Sequence, residues 1–104
     1  MDSSERQQKV LAQLGEHFRR LRLARNVSQE ALASESGVGL STLKRLENGR
    51  GCNLLALVQL LAALRCEDQF EAFFAKLATD ALEQESVAAE KRRRASSPRQ
   101  SADD

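Results

Sequence analysis

The sequence predicts an all-α protein of five helices, and three observations carry that prediction. Its four aromatic residues are all Phe, so an apolar content of 41% rests mainly on Leu, Val and Ala, a mixture that favours helix over sheet. Apolar positions recur at spacings of three and four along most of the chain, the period of a helix face. No alternating apolar–polar run long enough for a strand interrupts them.

Residues 1–7 are polar and read as a frayed start. From about Lys9 to Arg25, Val10, Leu11, Leu14, Phe18 and Leu21 fall on one face, while Arg19, Arg20, Arg22 and Arg25 occupy the others. Asn26 is a plausible stop. Ser28 then has the character of an N-cap, starting a short helix from Gln29 to Ser36 that Gly37 ends by its freedom to turn left-handed. A second short helix is expected from Leu40 to Asn48 and is closed by Gly49-Arg50-Gly51. Asn53 caps the next, whose apolar positions are Leu54, Leu57, Val58, Leu61 and Leu64. Phe70, Phe73, Phe74, Leu77, Ala78, Ala81 and Leu82 predict a further helix from about Asp68 to Glu85 or beyond. After Glu90 the run Lys91-Arg92-Arg93-Arg94-Ala95-Ser96-Ser97-Pro98-Arg99 has little apolar content and is expected to be a disordered tail. Three segments result: a domain over 8–66, a helical extension over 67–90 and a basic tail over 91–104.

Charge follows the same division. The net charge is +1, yet residues 1–66 carry ten Lys/Arg against six Asp/Glu, residues 67–90 one against seven, and residues 91–104 five against two. The acidic extension is either a solvated helix face or a surface for a basic partner protein. The tail is either a solvated end or a source of non-specific phosphate contacts. Phe70, Phe73 and Phe74 of the extension serve equally well as core or as a dimer seam.

Several function classes lack parts. The longest apolar stretch, Leu54–Leu64, is too short to span a bilayer. The polar, acidic N-terminus is unlike a secretory signal, so a cytoplasmic protein is expected. His17 is the single histidine and stands among arginines. Cys52 and Cys66 form no CxxC pair, and they read as small apolar residues rather than metal ligands. With no glycine-rich phosphate loop and no nucleophile–base arrangement, no enzyme, metal or cofactor is expected.

The informative feature is the pair of short helices around Gly37. Such a unit is too small to stand alone, so Ala31, Leu32, Val38, Leu43 and Leu46 are expected to face inward, with Ala31 and Ala33 letting the helices approach closely. Ser41, Thr42, Lys44, Arg45 and Asn48 are left outside, where polar and basic groups can reach base edges and phosphates in a major groove.

Val27-Ser28-Gln29-Glu30-Ala31-Leu32-Ala33, Gly37-Val38, Ser41-Thr42-Leu43 and Leu46-Glu47-Asn48-Gly49 together resemble the helix-turn-helix domain of the Cro and phage-repressor (Xre) family. The likeness covers residues 14–64. It implies a lambda-repressor-like fold and a homodimer that represses transcription by docking on a pseudo-palindromic operator in double-stranded DNA. It assigns Gln29 to phosphate binding and to bracing the second helix. Leu40, Ser41, Lys44 and Arg45 take base-facing positions, and Asn48 and Arg50 hold the backbone beyond. Arg22 and Glu47 match positions that form a partly buried ion pair. Gly39 departs from the family's usual Ser or Thr cap, and Leu40 from a polar base reader. The arrangement of a recognition segment, an acidic-apolar extension and a basic tail is also similar to short HipB-like antitoxins. That likeness implies autorepression together with binding of a HipA-like kinase toxin.

Overall fold

The structure, a computed structural model, describes residues 2–100 and the side chains as far as Ala95. Its helices are α1 (Ser3–Ala24), α2 (Gln29–Ser36), α3 (Leu40–Glu47), α4 (Leu54–Ala63) and α5 (Glu67–Gln100). No strand occurs among the described residues, and none of these helices is long and apolar enough to cross a membrane. The chain divides into two compact units, Met1–Asp68 and Gln69–Asp104.

In the first unit the short helices begin where side chains can replace the missing helical acceptors. Ser28 Oγ accepts from the Ala31 N–H at 3.0 Å and Asn53 Oδ1 from the Ala56 N–H at 2.7 Å, each satisfying a donor that the first turn leaves open. Gly39 has no side chain to do this, and α3 starts without a side-chain cap. α2 ends on Gly37 at φ 77°, in the left-handed region.

Three other helix ends share one motif. After α1, α3 and α4, the residues in left-handed conformation are Asn26 (φ 57°), Gly49 (φ 81°) and Arg65 (φ 60°). The next N–H closes back in each case: Val27 to the Arg22 carbonyl, Arg50 to Arg45 and Cys66 to Leu61. This paired closure uses up carbonyls that would otherwise be stranded at the helix end.

The core gathers Phe18 from α1, Leu32 from α2, Val38 from the turn, Leu43 and Leu46 from α3, Ala56, Leu60 and Leu61 from α4, and Leu64 and Cys66 beyond it. Leu32, Leu43 and Leu60 are completely enclosed, and truncating any one to Ala removes about 2–5 kcal/mol. α1 packs on α3, and α2 on both α3 and α4. Gly15 makes the first of these contacts possible. A Cβ at that position would lie 2.4 Å from the Leu46 carbonyl oxygen and 2.9 Å from that of Glu47.

Four expectations are corrected. α1 begins at Ser3, not near Lys9, because Asp2 and Glu5 form a reciprocal capping box: the Glu5 N–H donates to Asp2 Oδ1 at 2.8 Å, and the Asp2 N–H to Glu5 Oε1 at 3.1 Å. Ala31 is exposed rather than inward, since it sits about 100° around α2 from the packed Leu32. Val10, Leu14, Leu54 and Val58 share the helical period of the core yet remain exposed. The helix expected to fade after Glu90 instead runs to Gln100, with Glu90 paired to Arg93 and Arg94 and Glu85 to Arg92. Residues 101–104 of the expected disordered tail lie outside the described residues.

The second unit contains α5 alone among the described residues. Phe73 and Phe74 meet edge to face at 5.6 Å, and Phe70 and Phe74 at 5.2 Å. Phe73 and Phe74 are both more than half exposed, and Phe70 is half-buried.

Candidate nucleic-acid interface

α3 turns Leu43, Leu46 and Glu47 inward. Ser41, Lys44, Arg45 and Asn48 are exposed, and Leu40 and Thr42 are half-buried at its flanks. The outward face is therefore polar and basic along the length of the helix. Arg50 is also exposed, and its N–H donates to the Arg45 carbonyl at 2.9 Å. Thr42, Arg45 and Arg50 line one shallow groove together with Leu11, Gly51, Cys52 and Asn53. Burial pushes the Cys52 thiol pKa up, which disfavours the nucleophilic thiolate.

Behind this face stands a buried polar cluster. Arg22 from α1 forks onto Glu47, with Nε to Oε2 at 2.7 Å and Nη2 to Oε1 at 3.0 Å. Its third nitrogen donates to the Val27 carbonyl at 2.9 Å. Both side chains are almost wholly buried. The hydrogen bond to Glu47 raises the Arg22 pKa, and burial opposes that rise. Gln29, at the start of α2, donates Nε2 to Glu47 Oε1 at 3.0 Å.

One carboxylate thus ties α1, α2 and the last residue of α3 together. Among the described residues no buried side-chain polar atom is left without a partner, the condition under which a buried charge pair is tolerated. The bracing expected of Gln29 is made through Glu47. Its amide has a second N–H, which leaves a donor for another group.

Leu40, Ser41, Thr42, Lys44, Arg45, Asn48 and Arg50 come together on α3 and the turn that follows. Gln29 stands behind them, joined through Glu47. Leu11 and Asn53 beside the groove escape sequence reasoning, as does Gly15 beneath it. For Gly15 a signal existed, because glycine inside a helix is unfavourable by about 1 kcal/mol relative to Ala and implies a packing reason.

The described residues hold no group of three or more His, Cys, Asp or Glu side chains able to bind a metal. Arg25 is a structural tie, donating Nη1 to the Leu64 carbonyl at 2.9 Å.

A short helix, a left-handed glycine turn and a second helix with a polar outer face define a helix-turn-helix protein. The family model for a helix-turn-helix domain matches residues 13–73, more than half of the chain, and the chain belongs to that family. No curated protein and no solved structure matches it.

Proposed function

We propose that the protein is a homodimeric transcriptional repressor of its own operon that reads a pseudo-palindromic site with α3. The observation that carries this reading is the exposed row Ser41, Lys44, Arg45 and Asn48 on a helix held rigidly from behind by Arg22, Gln29 and Glu47. Lys44 and Arg45 reach base edges, where a bidentate Arg–guanine contact discriminates by about 1–3 kcal/mol. Leu40 meets a thymine methyl or packs on a sugar. Gln29, Thr42, Asn48 and Arg50 hold phosphates and set the register of the helix. Two copies present their α3 helices about 34 Å apart, one turn of DNA, and the bound dimer excludes polymerase from the promoter.

The test is a salt series of binding to DNA from the protein's own promoter, beside scrambled DNA of equal length. Tight binding to the promoter alone, lost in Lys44→Ala/Arg45→Ala, is the expected result. Equal and steeply salt-dependent binding to both DNAs would leave only phosphate contacts and overturn the reading.

The exposed apolar face of α5 favours a second reading, in which the chain also restrains a toxin-type enzyme partner as an antitoxin. Co-purification of a neighbouring gene product, abolished by deleting residues 69–104, would support it. A complex that survives the deletion would remove α5 from it.

A further inference from the structure

Phe70, Phe74, Leu77, Ala81, Gln84 and Ala88 follow one another along α5 at alternating steps of four and three residues, the spacing of a two-helix seam. Phe74 is 54% exposed and Leu77 47%, and beside them Phe73 is 57% and Val87 64% exposed. No other element lies in the Gln69–Asp104 unit among the described residues. Two gradients run along this seam. Side-chain size falls, with Phe and Leu in the first half and Ala and Gln in the second. Charge reverses, from six carboxylates against one lysine over residues 67–85 to four bases against Glu90 over residues 86–95.

We propose that a second copy of this chain covers the stripe, and that the two α5 helices pair antiparallel about an axis near Thr79. This rests on the homodimer of the preceding reading and gives it a seam and a polarity. In that register Phe70 lies opposite Ala88 of the second copy, Phe74 opposite Gln84 and Leu77 opposite Ala81, with Phe73 beside Val87. Phe70 and Leu77 each meet an alanine and Phe74 meets the slender Gln84, so the seam keeps a more even width than Phe against Phe would give. Glu67 of each helix lies opposite Lys91 of the other, at the ends of the paired stretch.

Parallel pairing would instead set Phe against Phe and Ala against Ala, with Glu67 against Glu67 and Lys91 against Lys91. The antiparallel register brings Asp80 near its symmetry mate and Glu71 near Glu85. These are solvent-facing flanking charges, where pairwise interactions are weak. Asp80 is in any case paired with Lys76 at 3.0 Å, and Glu85 with Arg92 at 3.1 Å.

The test uses the full chain without DNA. Light scattering gives its mass, and the photoreactive p-benzoyl-phenylalanine placed at position 73 maps the seam in a mixture of isotopically heavy and light chains. Trypsin cuts after Lys76 and Lys91, so the crosslinked peptide reports polarity. The expected result is a dimer mass and a heavy–light crosslink from position 73 into the Leu77–Lys91 peptide, with Phe74→Glu shifting the mass to one chain. A crosslink between two Cys66–Lys76 peptides would mean parallel helices and overturn the proposal. So would a dimer crosslinked outside α5, or a monomer throughout the micromolar range. The promoter titration is read separately, so a monomer that still binds the operator would sink the seam and leave the DNA reading standing.

Discussion

Glu47 is the residue on which the presentation of α3 turns. It accepts from Arg22 twice and from Gln29 once while almost wholly buried. Removing Arg22 leaves that carboxylate enclosed without its cation, so Arg22→Ala is expected to lose about 3–5 kcal/mol in urea unfolding. The double variant Arg22→Ala/Glu47→Ala should lose less than the sum of its singles, since the two share one network. Arg45→Ala is the counterpart. Arg45 is exposed on the outer face, so its unfolding midpoint should move by no more than about 0.5 kcal/mol while operator affinity falls. A large stability loss in Arg45→Ala would mean that the side chain supports the fold and would remove it from the reading face.

Helix ends decide the first unit at the scale of elements. The left-handed positions after α3 and α4 give predictions of opposite sign. Gly49 combines φ 81° with an approach of 2.8 Å between a built Cβ and the Ala12 Cα, so Gly49→Ala must both strain the turn and push α1 away. Arg65 already bears a side chain at φ 60°, and Arg65→Gly should raise stability by about 1 kcal/mol. Gly39 differs again: at φ −62° it adopts a conformation open to any residue, and nothing lies within 4 Å of an added Cβ. Gly39→Ser therefore supplies the missing cap of α3 and should raise the melting temperature, by a few tenths of a kcal/mol or more. A melt that leaves Gly39→Ser unchanged would show that α3 starts without need of a cap.

The same caps explain what the sequence revealed and what it concealed. Ser28, Gly37 and Asn53 announce their helices because each acts on its own backbone within four residues, and the bounds of α2 follow directly. Asp2 and Glu5 have the same spacing signature, masked because no apolar run follows at once. Ala31 and Leu14 carry the right period but lie on faces that nothing in the first unit covers, and periodicity cannot say which faces find a neighbour. The α1–α3 approach at Gly15 depends on backbone atoms thirty residues further along the chain, out of reach of any local pattern. At the site, the outward row from Ser41 to Asn48 was readable from the helical period. The fork of Arg22 onto Glu47 followed only from resemblance, since the two residues sit 25 positions apart.

For the whole molecule, the proposed reading of a two-fold operator and the proposed pairing through α5 are coupled. A monomer offers one α3 helix and a fraction of the contacts, so Leu77→Glu should weaken operator binding at least tenfold while leaving every residue of the reading face in place. The same variant tethered as a covalent dimer should recover that loss. An operator titration in which the untethered variant binds like the parent protein would break the coupling.

The clasp between Arg22 and Glu47 also bears on how the first unit reaches its shape. The span it closes consists of two eight-residue helices and their turns, elements that form in about a microsecond or less. The search for native contacts is therefore short, and stopped-flow refolding of the Met1–Asp68 unit should finish within milliseconds, the range of small helical domains with local topology. We expect the Arg22–Glu47 contact to form late in folding, so Arg22→Ala tests that order. The variant should speed unfolding far more than it slows refolding, so the residue that anchors α3 would also set the lifetime of the folded state.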